Sequence, residues 1–118
     1  MDHTMSAKRS PEMEACIEAC RDCARICTET IRYCLEMGGE HALAGHIALM
    51  LDCAQICQTS ADFMLRGSDL SPRICASCAE VCERCAESCE RFGDDEMMKA
   101  CAEACRRCSE SCRRMSAA

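Results

Sequence analysis

The chain has 118 residues, a formal net charge of −6, no Trp, one Tyr and two Phe. This length fits a single domain, and Lys and Arg alternate with Glu instead of forming the basic block that binds nucleic acid. No stretch approaches the roughly 18 apolar residues of a membrane span, and residues 1–12 contain no apolar signal segment. We therefore expect a cytoplasmic domain without nucleic-acid or membrane partners.

Helix start and stop signals predict the first half of the chain. Ser10 followed by Pro11 is typical of an N-cap with Pro at the first helical position. The pair Gly38-Gly39 is a stop signal, so the first helix is predicted over residues 11–37. A second helix is predicted over about 42–66, ending at Gly67.

The second half repeats these signals. Ser71-Pro72 predicts the start of a third helix that ends near Phe92-Gly93. The acidic run 94–96 places negative charge at the N-terminus of a fourth helix, which is predicted to reach about Met115. Short connections favour antiparallel neighbours. The predicted fold is all-α, an antiparallel up-down-up-down four-helix bundle over residues 10–115, with disordered tails at 1–9 and 116–118.

Cysteine follows the helical repeat. Steps of four and three alternate, which is the spacing of a seam that faces a partner helix, so thiols occupy positions where a bundle usually keeps Leu and Ile. We therefore predict a core lined by sulfur. The sixteen cysteines are Cys16, Cys20, Cys23, Cys27, Cys34, Cys53, Cys57, Cys75, Cys78, Cys82, Cys85, Cys89, Cys101, Cys105, Cys108 and Cys112.

Three uses of these thiols differ in how well they fit the pattern. Residues four apart on a helix have Cβ atoms about 5–6 Å apart, too far for a disulfide, which needs roughly 3.5–4.5 Å. Disulfides between cysteines of different helices are compatible with this spacing, but they do not explain why the thiols follow the seam so regularly. Cysteine can also serve as a small core hydrophobe, although Leu would fill such a core better. A metal ion bound by two thiolates of one helix spans the gap without distorting it.

The charge of such a core favours a monovalent ion. Each thiol loses a proton when it becomes a ligand, so a monovalent ion for each sulfur leaves the core neutral. Divalent ions in Cys₄ sites leave two negative charges per site, which are costly to bury. Among soft metals the monovalent biological choice is Cu(I). Seven i,i+4 pairs are available: Cys16/Cys20, Cys23/Cys27, Cys53/Cys57, Cys78/Cys82, Cys85/Cys89, Cys101/Cys105 and Cys108/Cys112.

Methionine and histidine gather at one predicted end of the bundle. Thioether and imidazole bind copper more weakly than thiolate, which suits an uptake site that passes the ion onward. The candidate uptake ligands are Met37, His41, His46, Met50 and Met98, beside Phe92 and Cys89. The opposite end has Met13, Met64 and Met115 without histidine. Methionine at seam positions can also serve only as a core side chain, without binding metal.

The second helix departs from the thiol pattern. Its predicted seam carries two thiols, and apolar residues also lie off the seam, which predicts burial on more than one side. Its outer face is a candidate subunit interface, and packing against neighbouring helices within the bundle explains the same pattern. The seam residues are Leu43, His46, Met50, Cys53, Cys57, Ser60 and Met64, and Thr30 holds a seam position on the first helix.

Over about residues 11–115 the chain resembles the bacterial copper storage proteins. The features that carry the resemblance are the core-facing Cys-x-x-x-Cys pairs and the Met and His residues at one end of the bundle. The resemblance implies that many Cu(I) ions are bound along a core that is preformed without metal, and that subunits form a homotetramer. Our interpretation is a store for Cu(I) without catalytic turnover, and we expect a copper chaperone or chelator as its donor. The lack of a leader resembles the cytosolic branch. Two alternatives stay open: a zinc or cadmium sequestering bundle, and a thiol redox protein using reversible disulfides.

Overall fold

The computed structural model of the protein describes residues 9–117, with only the backbone described for residue 117. The predicted tail at 1–9 lies outside the described residues except for Arg9, whose Nε donates to Glu14 at 2.6 Å. Four α-helices and one 3₁₀ turn make up the described chain, which contains no strand. They are α1 (Pro11–Met37), the 3₁₀ turn (Gly39–Ala42), α2 (Ala44–Leu65), α3 (Ser71–Glu90) and α4 (Glu96–Ala117).

The first helix begins and ends as predicted. Ser10 has an extended backbone, and its hydroxyl accepts a hydrogen bond from Met13 N at 3.1 Å, which satisfies a backbone donor that the helix leaves unpaired. At the other end Gly38 adopts φ 71°, a left-handed conformation that Gly enters without steric cost. Its N–H donates to Cys34 O at 3.1 Å. Local sequence therefore determines both ends of α1.

The start of α3 differs from the prediction. Ser71 is already the first helical residue, and Leu70 takes the N-cap position without a side-chain hydrogen bond. The preceding turn explains the shift, because the N–H of Ser71 donates to Ser68 O at 3.1 Å. The hydroxyl of Ser71 is buried and has no hydrogen-bond partner among the described residues. The two Ser-Pro pairs therefore differ in position: Ser10 is the N-cap of α1, whereas Ser71 is the first residue of α3.

Other helix limits shift by small amounts. A 3₁₀ turn precedes α2, α3 ends at Glu90, slightly before the predicted stop, and α4 continues through residue 117. The expected tail at 116–118 is therefore helical for residues 116 and 117, and residue 118 lies outside the described residues. Asp95 caps α4, because its Oδ1 accepts a hydrogen bond from Met98 N at 3.2 Å.

The helices form a closed antiparallel bundle of about 54 × 22 × 20 Å. Each helix packs against two neighbours, in the cyclic order α1, α2, α3, α4. Surface ion pairs between α3 and α4 show the opposed directions: Glu83 pairs with Arg113 at 2.7 Å, and Glu90 pairs with Arg106 at 2.8 Å. The predicted up-down-up-down bundle is confirmed, and one end of it gathers the end of α1, the start of α2, the end of α3 and the start of α4.

All sixteen cysteines lie inside this bundle. Each is buried and none is in a disulfide. Small alanines and three methionines (Met50, Met64 and Met98) complete the core, together with Ile17. Because no large aromatic side chain is buried there, the helices enclose a narrow column of sulfur along the bundle axis. None of the helices in the described part of the chain combines the length and the apolar character of a membrane span.

Candidate metal site

The sulfur atoms make contact mainly between helices. Cys57 Sγ on α2 lies 3.4 Å from Cys82 Sγ on α3. Within single helices, thiol pairs lie 3.8–4.0 Å apart at Cys23/Cys27, Cys78/Cys82 and Cys108/Cys112. The predicted i,i+4 pairs are therefore in place at these three positions. The bundle adds cross-helix pairs that the sequence spacing does not show.

These separations suit soft-metal coordination. With metal–sulfur bonds of about 2.3 Å, as in zinc sites, two thiolates on one ion lie about 3.8–4.6 Å apart for tetrahedral to linear geometry. Cys20 and Cys112 are 3.5 Å apart, and Cys27 and Cys101 are 3.8 Å apart. Small side-chain rotations are enough to place an ion between them. A disulfide would need a bond of about 2.0 Å and a larger movement.

Groups of thiols overlap along the column. Five groups have all their sulfur atoms within 4.8 Å of one another: Cys20/Cys78/Cys108/Cys112, Cys23/Cys53/Cys57/Cys82, Cys23/Cys27/Cys53/Cys105, Cys57/Cys78/Cys82/Cys108 and Cys16/Cys75/Cys112. Seven thiols each belong to two groups: Cys23, Cys53, Cys57, Cys78, Cys82, Cys108 and Cys112. At most three of the five groups share no thiol with one another. The arrangement therefore favours bridging thiolates over a series of separate, closed sites.

A mixed cluster of nitrogen and sulfur lies at the predicted uptake end. Cys34 Sγ is 3.5 Å from His46 Nε2, 3.6 Å from Met98 Sδ and 4.0 Å from Met50 Sδ. All four side chains are buried. They come from the end of α1, the first half of α2 and the start of α4. We call Cys34, His46, Met50 and Met98 the mouth cluster; they offer one thiol, one imidazole and two thioethers to a soft metal ion.

The environment of the mouth cluster controls its protonation. Burial raises the pKa of the Cys34 thiol to about 11, and charge at Cys101 and Asp95 acts in the same direction. Burial lowers the pKa of His46 below its usual value, and the positive charge of Arg91 lowers it further. At neutral pH the cluster therefore holds a neutral thiol and a neutral imidazole, and the thiol must release a proton to bind metal.

The other two candidate uptake residues lie outside this cluster. His41 Nε2 lies 2.9 Å from Asp95 Oδ2 and makes none of the contacts with sulfur that His46 makes. Its ring packs on Phe92 with the ring centres 4.1 Å apart, and Phe92 also lies 5.1 Å from the ring of His46. Met37 is 54% exposed. The structure thus places His41 above the mouth cluster, on its aromatic neighbour, and Met37 at the surface.

The opposite end has sulfur but no imidazole. Cys75 Sγ lies 3.9 Å from Met64 Sδ and 3.4 Å from Ser60 Oγ. Met13 and Met115 are partly buried against the core. Ser60 occupies its seam position as predicted, and Leu43 does not, because it precedes α2 and is 53% exposed. Thr30 is buried, and its hydroxyl donates to Ile26 O at 2.7 Å instead of facing the thiols as a free donor.

Two polar residues beside the histidines were missed by sequence reasoning as parts of the site. Ser88 Oγ lies 2.7 Å from His46 Nδ1, and Asp95 contacts His41. Asp95 carried a local signal as the acidic residue before α4, but its second partner depends on the bundle. Ser88 carried no signal, because it lies beside the cysteine seam of α3 and meets His46 only when α3 packs against α2.

Comparison with known proteins gives one consistent family. The family model described as copper storage protein matches residues 9–117. A solved structure of the Nmul_A1745 protein from Nitrosospira multiformis is 48% identical, with 90% of this chain and 95% of that chain covered and a TM-score of 0.84. The Cu(I)-bound copper storage protein BsCsp3 from Bacillus subtilis is 42% identical, with coverage of 89% and 98% and a TM-score of 0.82.

Two further relatives extend the comparison. A cytosolic copper storage protein from Streptomyces lividans, solved with five coppers, is 33% identical, with coverage of 91% and 93% and a TM-score of 0.84. The uncharacterized cysteine-rich protein YhjQ of Bacillus subtilis (strain 168) is 43% identical over 68 residues, which is 58% of this chain. The match spans 63% of the length of that curated relative.

Proposed function

Because the chain belongs to the copper storage protein family, we propose that it stores Cu(I) on the thiolates of its core and that the mouth cluster is where the ions load. The observation that carries the proposal is the continuous column of sixteen buried, unbridged thiols. The role is storage without catalytic turnover. The cytosol is the compartment, as for the Streptomyces lividans relative described as cytosolic, and its reducing conditions keep the thiols free.

Overlap between the thiol groups supports a monovalent ion. A closed structural site for a divalent ion takes four ligands, and at most three of the five thiol groups avoid sharing a thiol. A monovalent ion needs only one charge per thiolate and accepts bridging sulfur. Sixteen thiolates with about as many Cu(I) ions leave the column without the buried net charge that divalent sites would create. Zinc or cadmium sequestration therefore fits these residues less well.

Loading through the mouth cluster follows from its ligand types. The imidazole of His46 and the two thioethers bind Cu(I) more weakly than thiolates do. An ion held there has Cys34 as its first thiolate, at 3.5 Å from His46 Nε2, and the column continues toward Cys101 and Cys27, whose sulfurs are 3.8 Å apart. A donor chaperone or chelator passes its ion to this end.

Self-association completes the proposal. Large apolar side chains are exposed near the α1–α2 connection and on α2: Leu35, Met37, Leu43 and Leu51 are each more than half exposed. Such side chains gain free energy when another subunit covers them. A homotetramer, as implied by the family resemblance, is the assembly we expect.

Anaerobic titration of the reduced protein with Cu(I) tests the storage function. Thiolate-to-copper absorption should grow until about one ion per cysteine is bound, or somewhat fewer. Zinc in the same assay should saturate at about three or four ions per chain, since it needs Cys₃ or Cys₄ sets, and Cu(I) should displace it. Saturation with Cu(I) at the zinc value would overturn the storage proposal.

A further inference from the structure

Asp95 connects three elements at the uptake end. Its Oδ2 accepts hydrogen bonds from the Tyr33 hydroxyl at 2.7 Å and from His41 Nε2 at 2.9 Å. Its Oδ1 accepts one from Met98 N at 3.2 Å. Tyr33 lies in α1, His41 in the 3₁₀ turn and Met98 in α4. One carboxylate therefore holds together the end of α1, the turn that follows it and the first turn of α4.

The Asp95 carboxylate is surrounded by hydrogen-bond donors. Its side chain is 14% exposed and that of His41 is 16% exposed. At neutral pH an Asp side chain is ionised, and the Tyr33 hydroxyl and Met98 N both donate hydrogen bonds to it. An ionised carboxylate only accepts hydrogen bonds. The ring nitrogen of His41 that faces it must therefore carry a hydrogen.

This requirement selects one tautomer of His41. A neutral imidazole has a single N–H, so a hydrogen on Nε2 leaves Nδ1 with a free lone pair. The ring is held in place by Phe92, with ring centres 4.1 Å apart, and by the edge contact with Tyr33 at 5.8 Å. Histidines that bind metals commonly donate their other N–H to a carboxylate, which orients the ring and increases its basicity.

We propose that Asp95 is a positioning residue for copper uptake, because it presents Nδ1 of His41 as a ligand and, by capping α4, holds Met98 against Cys34. The second contact is direct: Asp95 binds Met98 N at 3.2 Å, and Met98 Sδ lies 3.6 Å from Cys34 Sγ. This inference rests on the proposed function and names the residue that organises its uptake end. His46 is held separately, by Ser88 at 2.7 Å.

The variant Asp95→Asn separates the charge from the helix cap. Asn is about as good an N-cap as Asp, so its side-chain oxygen can keep the hydrogen bond from Met98 N. Its NH₂ group then faces His41 Nε2 and donates to it, which moves the ring hydrogen to Nδ1 and blocks the ligand atom. The change therefore reverses the tautomer of His41 while α4 keeps its cap.

A double-mutant cycle on loading rate tests the proposal. Loading from a chelated Cu(I) donor is followed by stopped flow in the wild type, Asp95→Asn, His41→Ala and the double variant. Loss of such a carboxylate partner typically costs roughly 10–100-fold in metal affinity, so we expect loading to slow by about tenfold in Asp95→Asn and to a similar extent in His41→Ala. The double variant should be no slower than either single variant. Unchanged loading in Asp95→Asn, or effects that multiply in the double variant, would overturn the inference.

A spectroscopic readout gives an answer that does not depend on loading rates. Long-range ¹H–¹⁵N correlation spectra of the reduced apo protein show which ring nitrogen carries the hydrogen. We expect Nε2–H for His41 in the wild type and Nδ1–H in Asp95→Asn. A wild-type His41 with its hydrogen on Nδ1 would disprove the proposed role even if a variant failed to fold.

Controls separate this inference from the storage function. Ser10→Ala removes a helix cap at the opposite end of the bundle, so it should lower stability and load at the wild-type rate. Final copper content should be the same in Asp95→Asn and the wild type. If the wild type binds no Cu(I), the storage function itself is wrong. If it binds Cu(I) and Asp95→Asn loads equally fast, only the role of Asp95 is wrong.

Discussion

Cys57 on α2 and Cys82 on α3 bring their sulfur atoms to within 3.4 Å, closer than the thiols four residues apart at Cys23/Cys27, Cys78/Cys82 and Cys108/Cys112. Cys57 Sγ also lies 3.6 Å from Cys108 Sγ and 3.7 Å from Cys78 Sγ. The helix with the fewest thiols, α2, thus supplies a thiol with neighbours on two other helices. Removing this one sulfur should affect several ions at once.

Replacement of Cys57 tests how far thiolates are shared. Cys57→Ser should lower copper capacity by more than one ion per chain, since Cys57 belongs to two thiol groups. Loss of a thiolate that binds only one ion would lower the capacity by about one ion or not at all. The rate at which the first ion loads should be unchanged. Saturation is measured by anaerobic Cu(I) titration. The control Gln58→Ser changes the adjacent exposed residue and should keep full capacity; a loss confined to a single ion would contradict sharing.

Replacement of His46 tests the direction of loading. His46→Ala removes the imidazole nearest to Cys34 and should slow uptake from a chelated donor while leaving the final copper content nearly unchanged, since thiolates hold the stored ions. Met64→Leu at the opposite end is the matched control and should load at the wild-type rate. If Met64→Leu slows uptake and His46→Ala does not, ions load from the other end of the bundle.

The buried thiol of Cys34 predicts loss of apo stability in alkali. Its pKa rises from 9.0 to about 11 on folding, with burial as the first cause. Because the folded pKa is the higher one, the contribution of this thiol is complete below pH 9 and is lost as pH rises through 11. Urea denaturation of the reduced apo protein at pH 8, 9.5 and 11 should show falling stability. In Cys34→Ser the fall should be smaller; an equal fall would assign it to other groups.

Two serines that precede prolines should respond in opposite ways to replacement by alanine. Ser10 caps α1, so Ser10→Ala should lower the free energy of unfolding by about 1 kcal/mol and the Tm by about 3–5 °C. Ser71 has a buried hydroxyl without a partner among the described residues, so Ser71→Ala should leave stability equal or higher. Thermal unfolding monitored by circular dichroism measures both. Equal losses would mean that Ser71 also acts as a cap.

The helices should form without metal. The cap at Ser10, the left-handed Gly38 and the cap at Asp95 act through the backbone and require no ion, and free thiols are buried as small hydrophobes. Far-UV circular dichroism of the reduced, metal-free protein should therefore show a helical spectrum that changes little when Cu(I) is added. A coil spectrum that becomes helical only with copper would show that folding depends on the metal.

Helix limits were predictable where local chemistry decides them and less so elsewhere. Pro11–Met37 was predicted correctly because Ser10 and Gly38 act on backbone groups within a few residues. The start of α3 was predicted incorrectly, because the N–H of Ser71 donates to Ser68 O in a tight turn that the sequence signals did not reveal. The 3₁₀ turn before α2 was missed for a similar reason, since its residues are held by the packing of His41 on Phe92.

The sequence by itself determined the class of fold, the burial of the thiols and the end at which histidine collects, because all three follow from helical periodicity and chain direction. Tertiary structure decided which groups meet. Cys57 finds Cys82, and Asp95 joins Tyr33 to His41, only when separate helices pack side by side. The 3.6-residue period shows which face of a helix a side chain occupies. The partner across the interface depends on the axial register between helices, which the packing of whole side chains sets.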